Sequence, residues 1–161
     1  MIEILTSTVE SPIGPLTLIA RDGVLTNLSM HEQRHTSPPP NEAICDDAWF
    51  KDVVAQLDAY FAGELSAFEL EMNMLGTPFQ RNVWTQLCEI PYGETISYGE
   101  LARRIGNPNA SRAVGLANGR NPIAIIVPCH RVIGANGSLT GYGGGLERKT
   151  WLLKHEIRSR S

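Results

Sequence analysis

An α+β fold is predicted: a small amino-terminal α/β lobe (antiparallel sheet plus helix) over residues 1–75, and a mostly helical carboxy-terminal lobe with a helix-turn-helix over 76–161. Three observations predict it. β-rich stretches separated by turn sequences fill the first thirty residues, and helix-start signals recur after residue 76. A chain of 161 residues, 42% hydrophobic and 19% charged, also has the composition of an ordinary globular protein and can bury a real core.

The strands come first. Residues 2–8, 15–20 and 23–30 are rich in Ile, Leu, Val and Thr, and Ser11-Pro12-Ile13-Gly14 and Arg21-Asp22-Gly23 between them suit tight turns. The polar, proline-stacked stretch 31–42 reads as an exposed loop with no assignable feature. From Asp46 to about Ala62 the spacing of Trp49, Val53, Leu57 and Tyr60 or Phe61 predicts a helix, which Gly63 stops. A short strand is expected over 67–72.

Helices dominate the rest. Thr77-Pro78-Phe79-Gln80 combines an N-cap, a proline at the first helical position and a capping-box glutamine, opening a helix to about Cys88. Ser97-Tyr98-Gly99-Glu100 is a second capping box, and its helix ends at Gly106. Asn109 is placed to cap a third helix, from Ala110 to about Asn118. These two short helices have helix-turn-helix proportions, which also occur in proteins that never touch DNA. Arg112 sits in the first turn of the second one, and Ala110, Ala113, Gly115, Ala117 and Gly119 keep it slim. Residues 123–127 read as a buried extended segment, and a last helix is expected from about Leu146 to Glu156.

Charge is divided unevenly. Residues 1–97 carry 4 Lys/Arg against 14 Asp/Glu, a balance of −10, whereas residues 98–161 carry 10 against 3, a balance of +7. A basic half of this kind can form a phosphate-binding face, although chance clustering of solvated charge is the plainer reading. No run of about 18 apolar residues appears, so no membrane association is expected. The opening residues show no basic leader or apolar signal core, and a cytoplasmic location is expected. Cys45, Cys88 and Cys129 form no C-x-x-C pair and have no histidine at zinc-site spacing. We therefore expect no metal and no cofactor, with Cys45 and Cys88 packed as small buried hydrophobes.

Cys129 has different neighbours. Ile125-Ile126-Val127-Pro128-Cys129-His130-Arg131-Val132 delivers a cysteine beside a histidine at the end of an apolar segment, with a basic residue next along. The thiolate is the competent nucleophile, and a nearby base or positive charge lowers the cost of forming it. A bare Cys-His pair is weak evidence, because such neighbours often just pack; the longer string is not. Pro128-Cys129-His130-Arg131-Val132 resembles the active-site signature of the O6-alkylguanine-DNA alkyltransferase family. Tyr92-Gly93-Glu94-Thr95-Ile96-Ser97-Tyr98, Ala113-Val114-Gly115, Asn121-Pro122, Gly141-Tyr142-Gly143-Gly144-Gly145 and Trp151-Leu152-Leu153-Lys154-His155-Glu156 follow in the family's order. The resemblance covers about residues 78–156, and residues 11–16 resemble the family's first strand turn.

The resemblance implies the roles that follow. Cys129 attacks the alkyl carbon of O6-alkylguanine, and less readily of O4-alkylthymine, in an irreversible single turnover. His130 takes the thiol proton through a water, and Glu156 holds and charges the imidazole. Tyr98 donates to the departing base and touches the rotated phosphate, while Lys149 assists at the oxygen. Tyr142 walls the substrate pocket with Gly143, Gly144 and Val132, and Asn121 holds the turn before the cysteine. Arg112 fills the space left by a flipped base, and the helix bearing Ala113, Gly115 and Asn118 enters the minor groove. The implied partner is double-stranded DNA containing alkylated bases, bound by an expected monomer; cooperativity along DNA is left open.

Some positions depart from the family pattern. Gly143 stands where some relatives have serine, and Asn118 where some have a larger apolar residue, so pocket specificity and groove contacts are open there. Three other readings are weighed: a lesion-binding protein without repair activity, which lacks the reactive cysteine; an alkylation-sensing regulator, which needs a further domain; and a cysteine hydrolase, which turns over.

Overall fold

The computed structural model describes residues 2–139 and 142–159. Three strands, β1 (Ile4–Val9), β2 (Leu16–Arg21) and β3 (Val24–Met30), form an antiparallel meander. A two-residue strand, β4 (Ile44–Cys45), adds in parallel to β1, giving the sheet order β3-β2-β1-β4. Leu16, Leu18 and Ala20 of β2 and Leu28 and Met30 of β3 alternate into the core, and a register shift at Ile19/Ala20 brings Leu25 in as well, out of that alternation.

α1 (Lys51–Phe61) buries Val53, Leu57 and Tyr60. It begins later than its periodicity predicts. The Asp46 side chain accepts the Trp49 amide at 3.1 Å, which closes a separate turn ahead of the helix and leaves Trp49 partly exposed. The strand expected over 67–72 does not form: Met72 makes an isolated bridge to Leu25, and the Asn73 amide donates to the Leu25 carbonyl at 2.9 Å.

α2 (Pro78–Leu87) has the full capping box, with the Thr77 side chain accepting from the Gln80 amide and Gln80 reaching back to Thr77. It buries Val83, Trp84 and Leu87, and the Trp84 indole donates to the Ala117 carbonyl at 2.8 Å, tying α2 to the fourth helix. A two-residue strand, β5 (Ile96–Ser97), leads into α3 (Tyr98–Arg104). Here only half the expected box forms. Ser97 caps the Glu100 amide, but the Glu100 carboxylate pairs with Arg103 and Arg104 instead. α4 (Ser111–Gly119) starts one residue later than expected, after Ala110, with no side-chain cap from Asn109.

The segment 123–127 is not extended. It folds into successive turns with Ile125 at a φ of 73°, because Asn121 captures both ends: its Oδ1 accepts the Ile123 amide at 3.0 Å, and its Nδ2 donates to the Val127 carbonyl at 2.8 Å. The outer edge of β3 is covered by this segment, through Leu28 N–H to Pro122 O and Ala124 N–H to Leu28 O. A single 3-10 turn (Cys129–Arg131) follows, then β6 (Val132–Ile133), which pairs in parallel with β5. α5 (Leu146–Ser159) closes the structure, three residues longer than expected.

Cys45 and Cys88 are exposed, correcting the expectation that they pack inside. One lies on the short edge strand and the other at the end of α2, where Cys88 lines a surface cleft with Phe68 and Tyr92. Among the described residues, no helix is long and apolar enough to cross a membrane.

Candidate active site

Cys129 is buried where the Asn121 turn meets the 3-10 turn. Its sulfur receives the Asn121 amide at 3.1 Å, and its carbonyl receives the Asn118 amide at 3.3 Å. Asn121 thus shapes the turn and points a donor at the sulfur. Burial pushes the thiol above its ordinary range; the Asn121 bond and the Lys149 charge oppose that shift. At rest the sulfur is a protonated thiol, and it needs a base.

His130 and Glu156 are brought together by the fold. The imidazole Nε2 lies 2.6 Å from Glu156 Oε2, and both side chains are fully buried. An ionised carboxylate only accepts hydrogen bonds, so Nε2 carries the proton and the Nδ1 lone pair is the free basic site of the neutral ring. Among the described residues, Nδ1 has no hydrogen-bond partner. Burial holds His130 below its ordinary range, and the Glu156 hydrogen bond works against that.

Glu156 is more heavily engaged than its neighbours in sequence suggest. Among the described residues five donors converge on it: His130 Nε2, the Tyr60 hydroxyl at 2.6 Å, the Gly93 amide at 3.2 Å, and Arg131 Nε and Nη2 at 2.8 and 3.1 Å. Burial favours its neutral form, but the His130 and Arg131 contacts outweigh burial and hold the carboxyl far below the usual range. Arg131 is itself fixed by the Ile90 carbonyl at 2.7 Å and lies over the Tyr92 ring. Sequence reading missed Tyr60 and Arg131 as site residues. A basic residue beside His130 was the available signal for Arg131, whereas Tyr60, 96 residues from Glu156, offered only its place on a helix face.

The shifts at His130 and Glu156 have the same consequence for stability. Below about pH 6.5, the ordinary histidine value, the unfolded chain takes up a proton that buried His130 resists; below about 4.5 the same holds for Glu156. Protons bound preferentially by the unfolded state destabilise the fold. The melting temperature should therefore fall as pH is lowered from 7 towards 4, and should fall less steeply in His130→Gln. A wild-type melting temperature that is flat over this range would show that these groups are solvated.

The remaining expected residues divide between two regions. Lys149 is fully buried, and its ammonium donates to the Val132 carbonyl at 2.7 Å, close enough to Cys129 for their charges to interact. Tyr142 is buried, and burial, with the nearby Cys129 sulfur adding to it, raises its phenol well above the ordinary range; its hydroxyl has no hydrogen-bond partner of good geometry among the described residues. Gly144 has no room for a side chain, because a Cβ there would collide with Met30 Sδ and crowd the Tyr142 ring. Gly145, at a φ of 93°, turns the chain into α5. Gly141 of the glycine-rich motif lies outside the described residues.

On α4, Arg112 and Ala113 are exposed together with Leu116, which is 70% exposed. Tyr98, the first residue of α3, packs beside Gly115, whose missing side chain would meet the Tyr98 ring at 3.8 Å. Asn118 is on the buried face with its amide on the cysteine loop, so its side chain belongs to the sulfur's surroundings rather than to the exposed face.

Residues 78–158 match the family model for the 6-O-methylguanine DNA methyltransferase DNA-binding domain, and residues 4–74 match the model for the ribonuclease-like domain of the same proteins. The chain is 60% identical over 149 residues to a methylated-DNA–protein-cysteine methyltransferase of Mycobacterium tuberculosis, covering 92% of this chain and 90% of that one. A Methanosarcina acetivorans protein of the same name is 54% identical over 147 residues, with 91% and 94% coverage. Among solved structures, Mycobacterium tuberculosis OGT in complex with DNA superposes with a TM-score of 0.89 at 58% identity, covering 94% of this chain and 92% of that one. An O6-methylguanine-DNA methyltransferase from Pyrococcus kodakaraensis gives 0.63 at 26% identity, with 95% and 98% coverage. With both family models matched and relatives alike over nearly their whole length, this chain belongs to the 6-O-methylguanine DNA methyltransferase family.

Proposed function

We propose that this protein repairs DNA by moving an alkyl group from O6-alkylguanine, and less readily O4-alkylthymine, onto Cys129, and is consumed in doing so. It is an enzyme of the methylated-DNA–protein-cysteine methyltransferase class, acting in DNA repair by alkyl transfer. The observation that carries the reading is a buried thiol bonded by Asn121, next in the chain to a buried imidazole whose Nε2 is held by the Glu156 carboxylate while its Nδ1 has no partner among the described residues. A nucleophile, a base and a group that orients the base are what activation of a thiol requires.

The Cys129 proton passes through a water to His130 Nδ1, and the imidazolium is stabilised by Glu156. The sulfur attacks the alkyl carbon, an S–C bond forms, and the C–O6 bond breaks with its electron pair leaving on the guanine. The base takes a proton from the Tyr98 side, and the Lys149 ammonium favours charge near the oxygen. The thioether has no hydrolytic exit, so each molecule acts once.

The target lies inside a duplex, and the base must be swung out to reach a buried sulfur. The exposed Arg112 is suited to occupy the vacated stack, and the small residues Ala113 and Gly115 suit a helix entering the minor groove. The +7 balance of residues 98–161 supplies the phosphate attraction that an acidic chain otherwise lacks. In this reading residues 1–75 form one lobe and residues 76–161 the DNA-binding and active-site lobe of a cytoplasmic monomer.

Stoichiometry tests the reading. Incubation with duplex DNA carrying O6-methylguanine should add one methyl group per molecule, mapped by peptide mass to Cys129. Repair of several lesions per molecule, or an adduct on Cys45 or Cys88, would overturn it. A cysteine hydrolase would show turnover in the same assay.

A further inference from the structure

The connection after β3, featureless in the sequence, closes over the sulfur. Half-buried Gln33 lines the cleft above Cys129, facing Asn121, Tyr142 and Gly143, and is the one residue of the acidic first half to do so among the described residues. Its Oε1 accepts the Met30 amide at 2.9 Å, which anchors the side chain to the last residue of β3. Its Cγ lies 3.5 Å from where a side chain on Gly143 would begin, and the next amide, Arg34 N–H, donates to the Gly143 carbonyl at 2.9 Å.

The cleft holds only about 10 Å³, room for about one water. Something in its wall must give before an alkylated base reaches the sulfur. Asn121 is fixed by three hydrogen bonds, to Val127, Ile123 and the sulfur, Asn118 and Tyr142 are buried against the fold, and Gly143 has no side chain to move. Gln33 is a flexible chain held by a single hydrogen bond through its oxygen. We propose that Gln33 is a specificity-determining residue, the part of the wall that limits the size of the alkyl group Cys129 can accept. This rests on the alkyl-transfer reading above.

The test compares single-turnover transfer from duplexes carrying O6-methylguanine or O6-benzylguanine, for the wild type, Gln33→Ala and Gln33→Met. Shortening the wall should raise the benzyl-to-methyl rate ratio by about 10-fold, a typical effect of reshaping an apolar pocket. Methionine restores the length without the carboxamide and should leave the ratio within about 2-fold of wild type. An unchanged ratio in Gln33→Ala, or an equal rise in Gln33→Met, overturns the role of Gln33 while the transfer reading stands. A wild type that accepts neither group overturns both.

Discussion

Glu156→Gln should slow alkyl transfer by about 10²- to 10⁴-fold at neutral pH, the range expected when a positioned base loses its function. The carboxylate fixes the His130 tautomer and stabilises the imidazolium that forms when the thiol gives up its proton. A carboxamide does neither well. Whichever way it is turned, its NH₂ faces some of the five donors that converge on Glu156, and buried Arg131 loses its counter-charge. Loss of a buried charged partner typically costs about 3–5 kcal/mol, so the variant should also melt earlier.

A folding defect and a catalytic one are separable by pH. If Glu156 acts by making His130 a better base, the deficit should shrink as pH rises and the thiol ionises without help. Single-turnover rates well below the melting temperature, from pH 7 to 10, measure this. A deficit that stays constant across that range would mean that Glu156 only supports the fold. A normal rate at neutral pH would remove it from the mechanism.

The part of the fold that local chemistry encodes was legible. The three meander strands have alternating apolar faces and turn residues between them, and the Thr77–Gln80 box marks the start of α2 to the residue. Elements that depend on distant partners were not. β4 consists of two residues paired to a strand nearly forty positions earlier, with no local pattern to announce it. Residues 123–127 are an apolar run, and periodicity cannot tell a buried strand from a buried turn. What decides it is the Asn121 side chain, bonding at both ends of the run. The final helix outran its expected end because its last residues, from Ile157 on, lie off the buried face that periodicity reads.

The candidate site divides in the same way. Motif resemblance supplied Cys129, His130, Asn121 and Glu156, which the structure brings within hydrogen-bond reach of one another in the pairs Asn121–Cys129 and His130–Glu156. Of the group that tunes Glu156 only Arg131, beside His130, carried a local signal; Tyr60, Gly93 and Arg131 come from three separated stretches of chain, and only the fold joins them. Gln33 lay in a loop whose composition describes only exposure. Its place above the sulfur follows from β3 ending beside the glycine-rich turn, a tertiary fact.

Arg112→Ala should slow repair in duplex DNA by about 10- to 100-fold while leaving reaction with the free alkylated base close to normal. Extruding a base costs a few kcal/mol of stacking and pairing, and a side chain filling the gap offsets part of that; a loss of about 1.4–2.7 kcal/mol gives this range. Arg112 is the second residue of α4, exposed and on the same surface as Ala113 and Leu116, so no neighbouring side chain stands between it and a bound duplex. The plainer role, a phosphate contact, makes a different prediction. It would weaken binding, reduce the salt dependence by about one ion, and be rescued fully by saturating protein. Single-turnover rates at saturating protein, on duplex and on free O6-benzylguanine, decide between them. A duplex rate restored by saturation would assign Arg112 to the backbone and leave the stack to be filled by another residue. Equal losses on both substrates would count against either role, since a free base needs neither extrusion nor a phosphate contact, and would make Arg112 a residue that supports the fold of α4.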